Sequence, residues 1–424
     1  MRLLTAQQFN AESQQYIDHN DENIDRAVLE IIRDVRENGD AALLKYTKQF
    51  DKVELESLLV SKEEFLEAKA QVSLEFVVAI QKAKKNIQEF HEVQKEHSWF
   101  VNGENGILLG QKVTALNSVG IYVPGGKASY PSTVLMNAIP AKIAGVKNIA
   151  ITTPPQSNGK VSPYVLVAAM EAGVDVVYKV GGAQAIAALA YGTGSVRKVV
   201  KIVGPGNAYV ARAKKWVFGD VAIDMIAGPS EICVVADDTA IPRFVAADLL
   251  SQAEHDERAT AICITTSSAF AEQLQEEVEK QMQTSERKEI IEQSITDNGK
   301  IVLVGSMDEA FEIVNNLAPE HLQLMIENPL EQMHRIENAG AIFLGNYSPE
   351  ALGDYIAGPN HTLPTSGTAA FSSPLGVYDF QKKSSIIQYS KEALQDVTED
   401  IITLANAEGL QAHANSIQIR KVDD

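Results

Sequence analysis

The sequence predicts an α/β protein: two units of parallel sheet and crossover helix in succession, with a helical segment before them and a helical end after them. Three observations carry this. Apolar residues recur at helical spacing from Glu22 to about His97, a rhythm of strand, glycine turn and helix begins near Val119, and that rhythm restarts after Glu231. A chain of 424 residues exceeds one ordinary core and suits two or three domains.

In the first segment Val28, Ile31, Ile32 and Val35 fall on one helical stripe, which Gly39-Asp40 ends. A second stripe runs through Phe76, Ile80, Ala83 and Ile87 toward Phe90. A short β region follows, Ile107 to Leu116 and then Val119 to Val123, closed by the turn-forming Pro124-Gly125-Gly126. Ile149 to Thr152, Val174 to Val180 and Lys198 to Val203 read as strands. Tyr164 to Ala172, Ala183 to Tyr191 and the stretch from Asn207 to near Phe218 read as the helices between and after them. The second unit offers strands at Ile232 to Ala236, Ala261 to Thr265, Ile301 to Val304, Leu322 to Ile326 and Ala341 to Leu344. Its clearest helices run from Pro242 to Glu254 and from Met307 to Leu317. Gly353 to Gly376 is rich in Gly, Pro, Ser and Thr and too long for an idle linker, and long ordered loops tend to carry function. The last fifty residues return to helix and end in a polar tail.

The 37 basic and 56 acidic side chains give a formal charge of -19, which repels a phosphate backbone or an anionic bilayer. Neither nucleic acid nor membrane is expected as a partner. Cys233 and Cys263 sit inside apolar runs and read as reduced core residues. The first residues turn polar too soon for a signal peptide, and no stretch approaches the roughly 18 apolar residues of a spanning helix. A cytoplasmic location is the expectation.

Four of the eight histidines travel with a metal-capable or proton-carrying partner: Gln252-Ala253-Glu254-His255, Glu320-His321, Asp354 with His361, and Glu408 with His413. Histidine beside carboxylate suits metal binding and proton transfer. Gln252 and His255 are three apart near a helix end, so both can face one ion. Asp354 and His413 would complete a set of N and O donors suited to zinc and, less selectively, to manganese or cobalt. A histidine that merely caps the last carbonyls of its helix competes with that reading. Glu320-His321 follows Pro319 between a helix and a strand, where both can reach a cleft, one to take a proton from substrate and one to activate water; an exposed charged turn competes. His19, His91, His97 and His334 lie in polar helical surroundings and are expected to be solvated or structural.

Gly181-Gly182-Ala183-Gln184 and Gly204-Pro205-Gly206-Asn207 each end a strand and open a helix, where free N–H groups meet phosphates in dinucleotide-binding sheets. Neither has the Gly-x-Gly-x-x-Gly fingerprint, and close helix-to-strand packing explains glycine there equally well. Ser230, in Asp224-Met225-Ile226-Ala227-Gly228-Pro229-Ser230-Glu231, lacks the elbow of a nucleophile and reads as a ligand contact or a cap.

The segments Val203-Gly204-Pro205-Gly206-Asn207 and Ile223-Asp224-Met225-Ile226-Ala227-Gly228-Pro229-Ser230-Glu231, with Gly120-Ile121-Tyr122-Val123-Pro124-Gly125-Gly126, Asp248-Leu249-Leu250-Ser251-Gln252-Ala253-Glu254-His255, Ala318-Pro319-Glu320-His321-Leu322 and Gly353-Asp354-Tyr355-Ile356-Ala357-Gly358-Pro359-Asn360-His361, resemble the histidinol dehydrogenase family, in order and over nearly the whole chain. The resemblance implies two Rossmann-like parallel-sheet domains with a helical N-terminal segment and a small C-terminal helical domain. Residues 1–119 would hold that segment and the start of the first α/β domain, and 120–226 the second domain, on the NAD side. Residues 227–368 would form the rest of the first domain, with the zinc and catalytic residues, and 369–424 the C-terminal domain. The implied activity is oxidation of L-histidinol through L-histidinaldehyde to L-histidine with NAD and zinc. Gln252, His255, Asp354 and His413 would bind zinc. These four, with Ser230, His321, His361 and Glu408, would touch the substrate. Tyr122, Gln184 and Asn207 would contact NAD, and Glu320 and His321 would be the acid/base pair. A homodimer is implied, each site completed by Glu408 and His413 of the other subunit. The rival from chemistry alone is a zinc-dependent hydrolase of a small nitrogenous substrate, which needs no NAD.

Overall fold

The computed structural model describes residues 1–13, 22–125 and 129–421, so His19, Gly126 and the tip of the polar tail lie outside the described residues. The chain opens with a short strand, β1 (Arg2–Thr5), before the predicted helices Glu22–Asn38, Asp40–Phe50, Lys62–Gln71 and Leu74–Glu92. Two strands then pair antiparallel, β2 (Trp99–Asn102) with β3 (Leu108–Ala115).

The next five strands are β4 (Ser118–Tyr122), β5 (Asn148–Thr153), β6 (Val176–Lys179), β7 (Lys201–Val203) and β8 (Ala222–Ile223). They form one parallel sheet in the order β6-β5-β4-β7-β8. Counted from β4 this is 3-2-1-4-5, the doubly wound order with a switch point between its first and fourth strands. Its two faces are covered differently. Val119, Ile121 and Val123 pack under the helices Leu74–Glu92, Pro131–Ala144 and Pro163–Ala172, whereas Tyr122 faces the helices Glu22–Asn38 and Gly182–Tyr191.

The second unit supplies β9 (Glu231–Ala236), β10 (Thr260–Thr265), β11 (Lys300–Leu303), β12 (His321–Met325) and β13 (Ala341–Leu344). With β1 at its edge they make a parallel sheet ordered β1-β11-β10-β9-β12-β13. From β9 the order is again 3-2-1-4-5. Along β9, Ile232, Val234 and Ala236 enter one core and Cys233 and Val235 the opposite one, the alternation expected of a strand buried on both faces. Both cysteines are buried and free.

Two of the differences from the sequence reading bear on the packing. The expected all-helical end begins with an eight-residue strand, β14 (Gln381–Gln388), which pairs along the whole of β3. Only then come the helices Lys391–Ala407 and Gln411–Gln418. The second is Pro131–Ala144, a helix buried nearly all round with Pro140 inside, which presents no amphipathic stripe to read. Among the described residues, no helix is long and apolar enough to cross a membrane.

Candidate active site

The polar residues singled out in the second unit gather at the amino ends of β9 and β12. The helix Met307–Leu317 stops because Ala318 takes a left-handed conformation, φ 47°, and Pro319 cannot continue it. Glu320 and His321 are thereby swung into the sheet, and both are buried, not on an exposed turn. Gly340 has to be glycine here: a β carbon would lie 2.5 Å from the Glu320 carbonyl oxygen.

The main chain of one residue, Glu231, holds both side chains. The Glu231 N–H donates to Glu320 Oε2 at 2.8 Å, and the Glu231 carbonyl accepts from His321 Nδ1 at 2.9 Å. A carbonyl cannot donate, so Nδ1 carries the proton and Nε2 the lone pair. His321 Nε2 is buried with no partner. Burial pushes the imidazole down to about 4, so it is neutral at neutral pH, with the Nε2 lone pair unprotonated. The same burial holds Glu320 well above the usual carboxylate range. Ser230 directly precedes Glu231, its carbonyl accepting from Thr260 N at 3.0 Å.

His321 and Gln323 point to one face of β12, the face covered by the helix Pro242–Ala253. Gln252 lies in the last turn of that helix, fully buried, with neither amide atom partnered. His255 lies just past its end. His255, Glu350 and Asp354 each offer a ligand atom, all within 4.8 Å of one another, which makes a candidate cation site. Asp354 is in the short helix Glu350–Tyr355 and not in irregular loop, as the sequence suggested. Burial raises both Glu350 and Asp354. His361 Nδ1 donates to the Asp354 carbonyl at 3.1 Å, and Nε2 lies 3.4 Å from Thr133 Oγ1. Thr133 belongs to the helix Pro131–Ala144 that follows β4, so His361 stands between the two sheets. A cavity of about 520 Å³ is lined by His321, Asp354 and His361 together with Phe343, Leu352 and Tyr378.

In the first unit the glycine turns sit at the carboxyl ends of the strands. Tyr122 closes β4, and its hydroxyl accepts from Gly182 N at 3.0 Å. Gln184 is buried with Oε1 unpartnered. Asn207 caps the helix Ala208–Val217, its Oδ1 accepting from Val210 N at 3.1 Å. At the switch point Gly204 has φ 105°, and a β carbon would lie 2.2 Å from the Tyr122 carbonyl oxygen.

The sequence model of histidinol dehydrogenase matches residues 14–421. A histidinol dehydrogenase of Oceanobacillus iheyensis is 60% identical over 401 residues, covering 95% of this chain and 94% of its own. The chain belongs to the histidinol dehydrogenase family. The enzyme of that name from Bacillus subtilis is 56% identical over 96% of this chain and 95% of its own. The crystal structure of histidinol dehydrogenase from Elizabethkingia anophelis superposes with a TM-score of 0.94 at 40% identity, covering 99% of this chain and 98% of that one.

Within the single chain, the expected family residues divide. His255, Glu320, His321, Asp354 and His361 converge, with Gln252 buried in the helix turn before His255, whereas Glu408 and His413 are exposed at the C-terminal helices and outside the His255 cluster. Glu350 was not singled out in the sequence. Its spacing is the missing signal: four residues before Asp354, it shares a helix face with it. Its Oε2 accepts from Ser251 Oγ at 3.3 Å, and its N–H donates to the Gln323 amide oxygen at 2.9 Å when the Gln323 Nε2 is turned to Asp248. His91 is structural but not solvated, fully buried with Nδ1 on the Ile87 carbonyl at 2.9 Å and Nε2 facing Asn360 at 3.4 Å.

Proposed function

We propose that this chain oxidises L-histidinol through L-histidinaldehyde to L-histidine, reducing two NAD in succession, with one zinc ion per subunit. The observation that carries the reading is the main chain of Glu231, whose N–H and carbonyl fix Glu320 and His321 together beside a cluster of metal-capable side chains.

The donor set suits zinc: a neutral imidazole in His255, a carboxylate in Asp354 and a buried Gln252 amide that has no partner of its own. These residues would hold the metal, with His413 from a second copy. Zinc supplies a charged template for the amino and imidazole nitrogens of the substrate. NAD supplies the hydride acceptor. Ser230 and His361, with Glu408 of the second copy, would orient the substrate, and Tyr122, Gln184 and Asn207 would meet the nucleotide at the carboxyl edge of the five-stranded sheet.

His321 Nε2 takes the hydroxyl proton as the hydride leaves the adjacent carbon, which gives the aldehyde. The Glu320 carboxylate then draws a proton from the water that adds to the aldehyde carbon. The hydrate loses a second hydride and a proton and becomes the carboxylate. Burial suits both groups, since it keeps the imidazole unprotonated and makes the carboxylate a stronger base once ionised. Enclosing the aldehyde prevents its loss between the steps.

A cytoplasmic homodimer completes the proposal. Trp99, Phe100, Ile387, Leu404 and Leu410 leave large apolar surface exposed around β2, β14 and the C-terminal helices, which favours a covering partner. Mixing inactive His413→Ala with inactive His321→Asn subunits should restore activity in the mixed dimer. The first test is simpler: metal-replete protein with L-histidinol and NAD should produce NADH, and none would overturn the dehydrogenase reading.

A further inference from the structure

In doubly wound sheets of this order, the acid that binds the ribose 2′-hydroxyl stands at the end of the second strand. Here the second strand is β5, and it ends in Thr152-Thr153-Pro154-Pro155-Gln156, without an acid. Pro154 instead fills the crevice, since β carbons on Gly125 and Gly181 would each lie 2.7 Å from its ring atoms. A carboxylate arrives from another direction.

The helix Asp40–Phe50 packs on the helix Gly182–Tyr191. Asp40, at its start, accepts from Thr193 Oγ1 at 2.5 Å and Ser195 Oγ at 2.7 Å, just past the end of the other helix. The two helices therefore run in opposite directions, and Asp51, at the far end of the first, lies toward the Gly181-Gly182 turn. The negative charge of Asp51 acts on the Tyr122 hydroxyl, which accepts the Gly182 N–H. Downstream of Asp51 the chain follows the outer edge of β6, with Lys179 N on the Leu58 carbonyl at 2.6 Å and Val60 N on the Val177 carbonyl at 3.0 Å. Asp51 Oδ2 is buried and has no hydrogen-bond partner. Burial lifts this carboxyl to about 6.

We propose that Asp51 accepts hydrogen bonds from the adenosine ribose hydroxyls of the nucleotide and thereby selects NAD over its 2′-phosphorylated form. The inference rests on reading the carboxyl edge of β4 to β7 as the nucleotide side. It places the discriminating acid in the N-terminal helical layer and not in the sheet. A 2′-phosphate there would meet a carboxylate in a site poor in water, and repulsion would exclude it.

The test uses the full-length, metal-replete protein at saturating L-histidinol, with NAD, NADP and an NAD analogue lacking the 2′-hydroxyl of the adenosine ribose. For the wild type, the analogue and NADP should each lose about tenfold or more in kcat/KM relative to NAD. Asp51→Asn should raise the KM for NAD by about tenfold or more with kcat nearly unchanged, narrow the preference over NADP, and lose little more with the analogue. Equal penalties from the analogue in wild type and Asp51→Asn, or an unchanged preference, would overturn the proposal. The wild-type analogue measurement holds even where a variant folds poorly: an analogue as good as NAD overturns it alone. Wild type that reduces no NAD with L-histidinol overturns the nucleotide reading itself, which separates the two failures.

Discussion

The two parallel sheets share one strand order and are used at opposite ends. In the five-stranded sheet, the candidate residues stand at the carboxyl ends of β4, β6 and β7, where glycine turns open helices. In the six-stranded sheet, they stand at the amino ends of β9 and β12, with the carboxyl end of the helix Pro242–Ala253 beside them. The first edge presents the amino ends of two helices and suits an anionic ligand. The second buries imidazole and carboxyl groups, which burial drives toward their neutral forms, and so suits proton transfer. Strand order alone therefore does not say which edge of a sheet will work; the chemistry of the residues at each end does.

Breaking the amino edge should cost most. His321→Asn is expected to slow alcohol oxidation by roughly 10²–10⁴-fold, and Glu320→Gln to slow aldehyde oxidation by a similar factor. Both should leave NAD binding intact. Assaying each variant with histidinol and with histidinaldehyde separates the steps, and equal losses on both would refute the division of labour. Glu350→Gln should weaken zinc by roughly 10–100-fold, read by competition with a chelator in the absence of substrate; an unchanged affinity would make Glu350 a packing residue. At the other edge, Gly204→Ala should destabilise the protein by roughly 1–3 kcal/mol in denaturant unfolding and raise the KM for NAD, with histidinol binding spared. Loss of histidinol binding instead would show that the two edges are not separable.

The smallest effect expected is on stability against pH. His321 is depressed to about 4 in the folded state, so between about 4 and its ordinary value near 6.5 the unfolded chain binds more protons than the folded one. Its contribution is present above that window and is lost as pH falls through it. Metal-free wild type should therefore lose stability relative to His321→Asn as pH drops from 7 to 4, and parallel curves would contradict the buried neutral imidazole.

Much of this arrangement is legible in the sequence, because parallel strands buried on both faces leave unbroken apolar runs such as Ile232 to Ala236, bounded by glycine turns. The loop after Asp354 also stood out by composition. Other parts are illegible for physical reasons. β14 reads Gln-Lys-Lys-Ser-Ser-Ile-Ile-Gln, an exposed strand without alternation whose partner lies some 270 residues earlier. Pro131–Ala144 has no polar face to set its period. Glu350 is hidden because Asp354 reads as part of an irregular loop that begins at Gly353, and the helix that puts Glu350 one turn from Asp354 is only six residues long. The burial of Glu320 and His321 comes from Ala318, Pro319 and the close approach of Gly340, contacts that spacing along the chain does not encode.

The central claim is that one pair of side chains, held by the main chain of one residue, carries substrate through both oxidations without releasing the aldehyde. The direct measurement is the NADH formed per L-histidinol consumed by metal-replete enzyme, with a trap for free aldehyde present. Two NADH for each L-histidinol and an empty trap are predicted. One NADH with trapped histidinaldehyde would contradict it.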